Sequence, residues 1–223
     1  MTESEAISWL NDHFDVSRET QERLKAFVVF LKIEAASQNL ISASTLDQIW
    51  SRHIVDSAQL LKFAPHNANE NSWIDLGSGA GFPGLIVAML SNYRVTLVES
   101  RSRRIDYLQR AVGMLDMEDS VEIAGMTLER LESAPYSVIS ARAFAPLPRL
   151  FELASRFSTD RTLWLLPKGR NAAKEWSEVA PLWNGNFRIE PSVTDAEAGI
   201  LVGHLTGKRG NMANSAAKGQ QIK

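Results

Sequence analysis

Three glycines at alternate positions, between an apolar run and a helical pattern, most constrain how this chain can fold. The stretch reads Trp73-Ile-Asp-Leu-Gly77-Ser-Gly79-Ala-Gly81-Phe-Pro-Gly84. Glycines in a turn between a strand and a helix expose backbone amides and leave room for a ligand to approach closely. The stretch therefore predicts a nucleotide-type cleft at the end of a buried strand.

The pattern beyond the glycines favours an α/β fold. Seven short apolar runs alternate with helical stretches at 84–91, 102–115, 148–157 and 171–180; the runs lie at 73–76, 95–99, 120–123, 136–140, 162–166, 187–191 and 200–205. Such alternation is typical of a mainly parallel sheet with helices on both faces. The order of the strands does not follow from it.

The chain divides into three predicted regions. Residues 1–65 carry apolar stripes at helical spacing, a cap at Ser17 and a capping-box-like start at Ser44, which predict an N-terminal helical extension of three helices packed on the core. After the Asn-rich stretch 67–71, residues 72–206 hold the predicted α/β domain. Residues 207–223 contain almost nothing to bury and predict a flexible basic tail.

The spacing of the glycines narrows the choice of nucleotide. It is G-x-G-x-G and not the G-x-G-x-x-G of dinucleotide folds, and no G-K-[ST] is present to hold a triphosphate. Glu99 ends the next predicted strand, where a carboxylate can bind ribose hydroxyls. An adenosine without phosphate, as in S-adenosylmethionine, is compatible with this loop. Asp75 is either an acid for such a ligand or a carboxylate that organises the loop.

Composition excludes several classes of function. The chain has no cysteine, so disulfides, thiolate metal sites and cysteine nucleophiles are ruled out. The four histidines show no metal spacing, and we expect no metal site. The N-terminus is acidic, and no apolar run approaches the roughly 20 residues of a membrane span. These features predict a cytoplasmic protein with no membrane partner.

The charge of the chain is unevenly distributed. A net charge of −2 argues against a nucleic-acid partner. However, residues 1–60 hold 5 basic and 9 acidic side chains, whereas 142–174 hold 7 basic and 2 acidic. An acidic N-terminal region followed by a more basic remainder suggests a polyanionic partner. Charges scattered over exposed helix faces are the alternative explanation.

Several motifs outside the glycine stretch carry a resemblance to a known family. They are Asn39-Leu-Ile, Arg52-His53-Ile-Val-Asp56-Ser57, Val98-Glu99-Ser100 with Arg103-Arg104, Ile139-Ser-Ala-Arg142-Ala and Pro167-Lys168-Gly169. Together they resemble the RsmG (GidB) family of bacterial 16S ribosomal RNA guanine-N7 methyltransferases, closely over 39–170. The resemblance implies a Rossmann-like SAM-dependent methyltransferase fold, with 72–206 as the SAM-binding domain and S-adenosyl-L-methionine as the cofactor. It also implies a decoding-region guanine of 16S rRNA as the substrate, within the 30S subunit or its precursor, and we expect a monomer.

The resemblance also implies site residues. Predicted cofactor contacts are Gly77, Gly79, Phe82, Glu99, Leu128, Glu129 and Arg142. Arg142, at the carboxyl end of a predicted strand, is in addition the candidate for positioning the substrate. Predicted RNA-binding groups are Arg52, Arg103, Arg104, Lys168 and Arg170. Thr127 and Gly199 stand where many relatives have a basic residue.

Methyl transfer to guanine N7 suits a chain without cysteine. The N7 lone pair carries no proton, so an in-line displacement needs neither a general base nor a covalent nucleophile, and catalysis rests on positioning. Two alternatives stay open at this point. They are a nucleotide-dependent oxidoreductase of Rossmann type and a non-catalytic ribosome-binding module.

Overall fold

The fold is built on one seven-stranded sheet. A computed structural model describes residues 1–65 and 72–209. The strands are β1 Ser72–Leu76, β2 Arg94–Val98, β3 Val121–Ala124, β4 Val138–Ala141, β5 Leu163–Lys168, β6 Trp183–Pro191 and β7 Gly199–Lys208. Their order is β3-β2-β1-β4-β5-β7-β6. The first five strands are parallel, and β7 lies antiparallel to both β5 and β6, which confirms the predicted mainly parallel α/β architecture.

Helices cover both faces of the sheet, as predicted. They are α1 Glu3–His13, α2 Arg18–Ala35, α3 Asp56–Ala58, α4 Gly84–Leu90, α5 Ser102–Met114, α6 Leu147–Ala154 and α7 Ala172–Val179. Short 3-10 turns add Leu128–Arg130 and Ser155–Phe157. Within the described residues, no helix is long and apolar enough to cross a membrane.

The third helix of the N-terminal extension differs from its prediction. The prediction of a regular helix that starts at a Ser44 cap is wrong. The segment instead consists of a 3-10 turn Ala43–Gln48, a π-helical turn Trp50–Val55, the short α3 and a 3-10 turn Gln59–Lys62. Ser42 makes no cap hydrogen bond to the backbone, and its hydroxyl contacts those of Ser44 and Thr45. Such local side-chain bonds compete with a regular helix start.

Two hydrophobic cores lie on the two faces of the sheet. Along β1, Trp73 packs into the core shared with α4, α5 and the N-terminal helices, and Ile74 and Leu76 pack into the core under α6 and α7. This alternation follows from the two-residue period of a strand. It also directs the side chain of Asp75, between Ile74 and Leu76, toward α4.

The N-terminal extension packs directly on the half of the sheet that carries the glycine turn. The rings of Phe27 and Phe82 lie 5.6 Å apart in edge-to-face contact, and those of Phe30 and Tyr107 stack at 5.4 Å. Arg110 of α5 donates to both carboxylate oxygens of Glu34 at 2.5 and 2.8 Å. The extension therefore shares one continuous core with the α/β domain.

The carboxyl end of the described chain extends the sheet. Strand β7 continues through residues 207 and 208, into the segment predicted as a tail. Residues 67–71 and 210–223, which cover the predicted loop and most of the predicted tail, lie outside the described residues. The division into an extension, a domain and a tail stays a prediction.

A buried carboxylate joins β1, β4 and α4. Asp75 is 1 % exposed, and its Oδ2 accepts from the backbone N–H of Gly84 at 3.1 Å while its Oδ1 accepts from the Ser140 hydroxyl at 2.8 Å. Trp73 Nε1 donates to the same hydroxyl at 2.8 Å. Burial raises the pKa of Asp75 to about 6, and the bonds from Ser140 and Gly84 oppose that rise. The contacts support the loop-organising role of Asp75.

We predict that Gly84→Ala destabilises the protein. A Cβ at this position would lie 2.2 Å from Cδ2 of Leu97 and 3.0 Å from Oδ2 of Asp75, so the buried junction must open. Overpacking of this kind costs about 1–3 kcal/mol in the free energy of unfolding, measurable by chemical denaturation. Gly169→Ala is the matched control, because a Cβ there meets nothing within 4 Å. Equal unfolding free energies for the two variants would contradict the prediction.

Candidate active site

The glycine turn lies at the carboxyl end of β1, where parallel α/β sheets bind their ligands. Gly77, Gly79 and Gly81 have φ angles of 69°, 57° and 89°. This left-handed region favours glycine, because a Cβ would be strained there. The backbone N–H groups of Gly77 and Ser78 donate to the carbonyl of Val98 at 2.9 and 3.0 Å. The turn is thus fixed against the end of β2.

Glu99 follows β2 and faces the same turn. Its carboxylate is 5 % exposed and accepts from the backbone N–H of Gly79 at 3.2 Å. The N–H groups of Ser100 and Arg101 donate to its other oxygen at 2.8 and 2.9 Å. Arg104 lies 3.6 Å away. The backbone therefore holds a carboxylate in a fixed orientation beside the glycine turn.

A cleft of about 290 Å³ opens between the turn and the segment after β3. Four of the predicted cofactor residues line it, namely Gly77, Glu99, Leu128 and Glu129, together with Arg101. Phe144 covers one side, since a Cβ at Gly77 would lie 2.6 Å from its Cδ2. The structure thus brings together most of the predicted cofactor residues at one cleft.

Phe82 does not line this cleft. Its side chain is 2 % exposed and packs in the core, between the ring of Phe27 and a stacked His53 at 4.9 Å. The guanidinium of Arg142 lies 5.1 Å above its ring. Phe82 therefore contacts Arg142 and does not face the cleft itself. That Phe82 contacts a cofactor stays a prediction.

An arginine that the sequence did not single out as a site residue supports the far wall of the cleft. Arg156 donates to the carbonyls of Leu128 and Leu131, the latter at 2.7 Å, and to the Ser133 hydroxyl at 2.8 Å. Leu128 is 2 % exposed, whereas Glu129 is exposed and lies 3.2 Å from Arg149. The wall of the cleft thus holds the buried apolar side chain of Leu128 next to the exposed carboxylate of Glu129.

Arg142 lies at the end of β4 and contacts the N-terminal extension. Its Nη1 donates to the carbonyl of Arg52 at 3.2 Å and to Asp56 at 3.3 Å, and its Nη2 bonds to Nδ1 of His53 at 3.1 Å. Burial lowers the pKa of the guanidinium, and the charge of Asp56 opposes that effect. Three acceptors therefore fix the orientation of this side chain.

His53 lies on the π-helical turn and is nearly inaccessible, at 8 % exposure. Burial, together with the charges of Arg142 and Arg52, lowers its pKa to about 3. A neutral ring that accepts at Nδ1 from Arg142 carries its proton on Nε2 and donates to the Thr45 hydroxyl at 3.0 Å. His53 and Asp56 thus belong to one polar network around Arg142.

A second, larger cavity of about 910 Å³ lies beside the cleft. Both are lined by Ala143 and Phe144, so this segment is their common wall. Ala143 has a φ of 54°, an uncommon conformation for a residue with a side chain. The strand ends of β4 and β5, the π-helical turn, the start of α6, the helix α7 and the loop between β6 and β7 supply most of the remaining lining.

Four of the five predicted RNA-binding side chains are paired with carboxylates. Arg52 meets Asp195, Lys168 meets Glu175 and Arg170 meets Glu197, each at 2.8 Å, and Arg104 meets Glu99 at 3.6 Å. Arg103 is exposed. Their role in RNA binding stays a prediction. The sequence does not single out three of these carboxylates, Asp195 and Glu197 on the loop after β6 and Glu175 on α7, because no local pattern marks them as partners of the basic motifs.

The two positions that depart from the family pattern lie at the two cavities. Thr127 lines the cleft and Gly199 the larger cavity. Within residues 1–65 and 72–209, no group of three or more His, Asp or Glu side chains could hold a metal ion.

A family model and related sequences all point to one protein family. Residues 20–197 match the GidB family, described as rRNA small subunit methyltransferase G. A protein of that name from Rhizorhabdus wittichii is 54 % identical over 211 residues, covering 94 % of this chain and 96 % of that protein. Its counterpart from Zymomonas mobilis is 51 % identical over 208 residues, covering 91 % and 93 %.

Solved structures show the same fold at low sequence identity. A SAM-dependent methyltransferase from Aquifex aeolicus has a TM-score of 0.56 and 12 % identity, covering 78 % of this chain and 97 % of that one. A mutant of MtNAS in complex with S-adenosylmethionine has a TM-score of 0.56 and 16 % identity, covering 82 % and 76 %. These likenesses confirm the predicted Rossmann-like methyltransferase fold.

We predict that His53→Asn makes the protein less sensitive to acid. The folded state keeps His53 neutral down to about pH 3, whereas the unfolded chain takes up a proton near pH 6.5. Wild-type stability therefore falls as the pH drops below 6.5, by about 1.4 kcal/mol per pH unit from this group. Asparagine retains an acceptor for Arg142 and does not titrate.

Denaturation of both proteins at pH 8 and pH 5 measures the effect. The difference in unfolding free energy between them should move by about 2 kcal/mol in favour of the variant at pH 5. At pH 8 both states hold a neutral ring, which gives the reference value. Parallel stability curves from pH 8 to pH 5 would show that His53 does not carry this dependence.

Proposed function

The chain belongs to the family of rRNA small subunit methyltransferase G, and on that premise we propose that it transfers a methyl group from S-adenosyl-L-methionine to N7 of a decoding-region guanine in 16S rRNA. The observation that carries the proposal is the buried carboxylate of Glu99 beside the glycine turn. Family membership makes the chain a methyltransferase, and the oxidoreductase and non-catalytic alternatives lose their support.

The residues of the cleft fit the adenosine of this cofactor. Backbone N–H groups occupy three of the roughly four acceptor sites of the Glu99 carboxylate, and its Oε2 can still accept from one ribose hydroxyl. Leu128 would pack against the adenine and Glu129 would contact its polar edge. Gly77 and Gly79 let the ligand approach the backbone. S-adenosyl-L-methionine supplies the methyl group on a positively charged sulfur.

The acceptor needs no base from the protein. The N7 lone pair would attack the methyl carbon as the carbon–sulfur bond breaks, and the positive charge would pass from sulfur to the guanine ring, leaving N7-methylguanine and the neutral thioether. Alignment of the two partners lowers the barrier, which assigns the protein a positioning role. Arg142 suits this role because three acceptors fix it at the edge of the larger cavity.

The larger cavity is our candidate for the acceptor site. It shares the wall Ala143–Phe144 with the cofactor cleft, as an acceptor next to a methyl donor requires. In an RNA duplex the groove that displays N7 is too narrow for side chains, so the target guanine must be unpaired. We further propose that a monomer acts in the cytoplasm on the 30S subunit or its precursor.

We predict that Glu99→Gln weakens the binding of S-adenosyl-L-methionine. Neutralising a charged acceptor costs about 1.5–3 kcal/mol, which corresponds to a roughly 10- to 100-fold rise in Kd, measured by isothermal titration calorimetry. Glu122→Gln on β3 makes the same chemical change at an exposed position and should leave Kd unchanged. Wild-type affinity in the Glu99 variant would place the ribose elsewhere.

We predict that Arg142→Ala abolishes methylation, while Arg188→Ala, on β6, leaves it intact. Both variants are assayed with tritiated cofactor on naked 16S rRNA and on 30S particles, and the product is mapped by mass spectrometry. Arg142→Lys retains the charge but lacks the planar guanidinium, which donates from two separate nitrogens, so its activity should also be low. Near-wild-type activity in Arg142→Lys, or a modified base other than guanine, would contradict the proposal.

A further inference from the structure

We propose that the ion pair between Lys168 and Glu175 reads the Watson–Crick edge of the acceptor guanine in the larger cavity. The inference rests on the proposed function and adds to it the residues that select the base. Lys168 ends β5, Glu175 lies on α7, and Nζ of the lysine is 2.8 Å from Oε2 of the glutamate. Both line the cavity of about 910 Å³.

The charges around the cavity indicate a base and not a phosphate as its occupant. Each of its basic side chains, Arg52, Arg142 and Lys168, is paired with a carboxylate. The carboxylate of Glu178 adds a further negative charge to the lining. His53, the histidine of the lining, is neutral because burial holds its pKa low. The carboxylates here would repel a phosphate, whereas they would not repel an uncharged base.

The ion pair matches the hydrogen-bonding groups of guanine. Guanine carries two adjacent donors, N1–H and the N2 amino group, and next to them the acceptor O6. A carboxylate accepts from both donors, and an ammonium group donates to O6. Adenine presents an acceptor at N1 and an amino group in place of O6, so the same pair would oppose it. The arrangement of one carboxylate beside one ammonium therefore selects guanine.

The position of the pair in the fold also suits attack by N7. In guanine, N7 lies on the five-membered ring, on the opposite side of O6 from N1. Strand β5 lies beyond β4 from the glycine turn, so the pair and the cofactor cleft are on different sides of the cavity. A base held by its Watson–Crick edge at β5 and α7 would direct N7 toward the wall Ala143–Phe144. Pro146, Pro148 and Pro167 offer apolar surface for its faces.

The pair is already oriented before the base arrives. The side chain of Lys168 is 12 % exposed and that of Glu175 is 34 % exposed, so the lysine is confined by its surroundings and the glutamate can still be reached. Groups ordered in advance lose little conformational freedom on binding, which favours selectivity.

The test couples a Glu175→Gln substitution to the removal of one group from the base. The guanine that the wild-type protein methylates is first mapped on 30S particles. It is then replaced by inosine, which lacks only the N2 amino group, in 16S rRNA joined by splinted ligation and assembled into 30S particles. The values of kcat/KM are measured for guanine and inosine with wild type, Glu175→Gln and the control Glu190→Gln, which lies on β6 outside the cavity lining.

We expect inosine to lower kcat/KM of the wild type and of the control roughly 10- to 100-fold, the usual size of a good base contact. Glu175→Gln should lower kcat/KM on guanine by a similar factor and should remove most of the difference between guanine and inosine. Its Kd for S-adenosyl-L-methionine should be unchanged, which shows that the fold and the cleft are intact. A merely structural role for Glu175 would lower activity on both bases equally.

Two results would overturn the inference. One is an inosine penalty in Glu175→Gln as large as in the wild type, and the other is an inosine substrate that the wild type methylates as well as guanine. Failure of the proposed function is a distinct result, because the wild-type protein would then methylate no guanine in the 30S particle at all.

Discussion

The carboxylate of Asp75 is the constraint on which the rest of the site depends. It holds the first backbone N–H of α4 and the hydroxyl of Ser140 on β4, and so fixes the distance between β1, β4 and the helix after the glycine turn. Only a glycine at position 84 lets α4 approach this closely. Burial makes the ionised carboxylate unfavourable, as its raised pKa of about 6 indicates. Burial thus disfavours the charged form of the carboxylate that holds the glycine turn next to β4, the strand that Arg142 follows.

The N-terminal extension completes the site as well as covering the core. Arg142 directly follows β4, yet all three of its acceptors come from the segment 52–56. That segment is π-helical up to Val55, and such turns are frequent at functional sites because they re-aim side chains from a helix. The loop between β6 and β7 joins the same assembly, through Asp195 to Arg52 and through Thr194 to Asp56. Three distant parts of the chain therefore set the geometry of one guanidinium.

The sequence predicted the elements of the fold better than the partners within the site. All seven strands follow from runs of apolar residues, and the glycine turn and Glu99 from their spacing, because these signals are local. The strand order and the interrupted helical segment 43–62 depend on tertiary contacts, which no local sequence pattern predicts. Basic motifs pointed to Arg52, Lys168 and Arg170. The acidic partners of Arg52 and Arg170 are distant in sequence, and Glu175 meets Lys168 across the turn from β5 to α7. The sequence places Phe82 in the glycine motif, whereas in the structure its side chain packs in the hydrophobic core.

The distribution of charge separates attraction of RNA from recognition of the base. A cavity whose cations are all paired contributes little to the salt-dependent attraction of a phosphate backbone, since counterion release needs uncompensated positive charge. Arg101 and Arg103 lie exposed around the start of α5, on the cofactor side, where a backbone could pass. Phosphate contacts position a nucleic acid and contacts to the base specify it. A net charge of −2 is therefore compatible with this enzyme, because the basic side chains that line the larger cavity, Arg52, Arg142 and Lys168, are each balanced by a carboxylate.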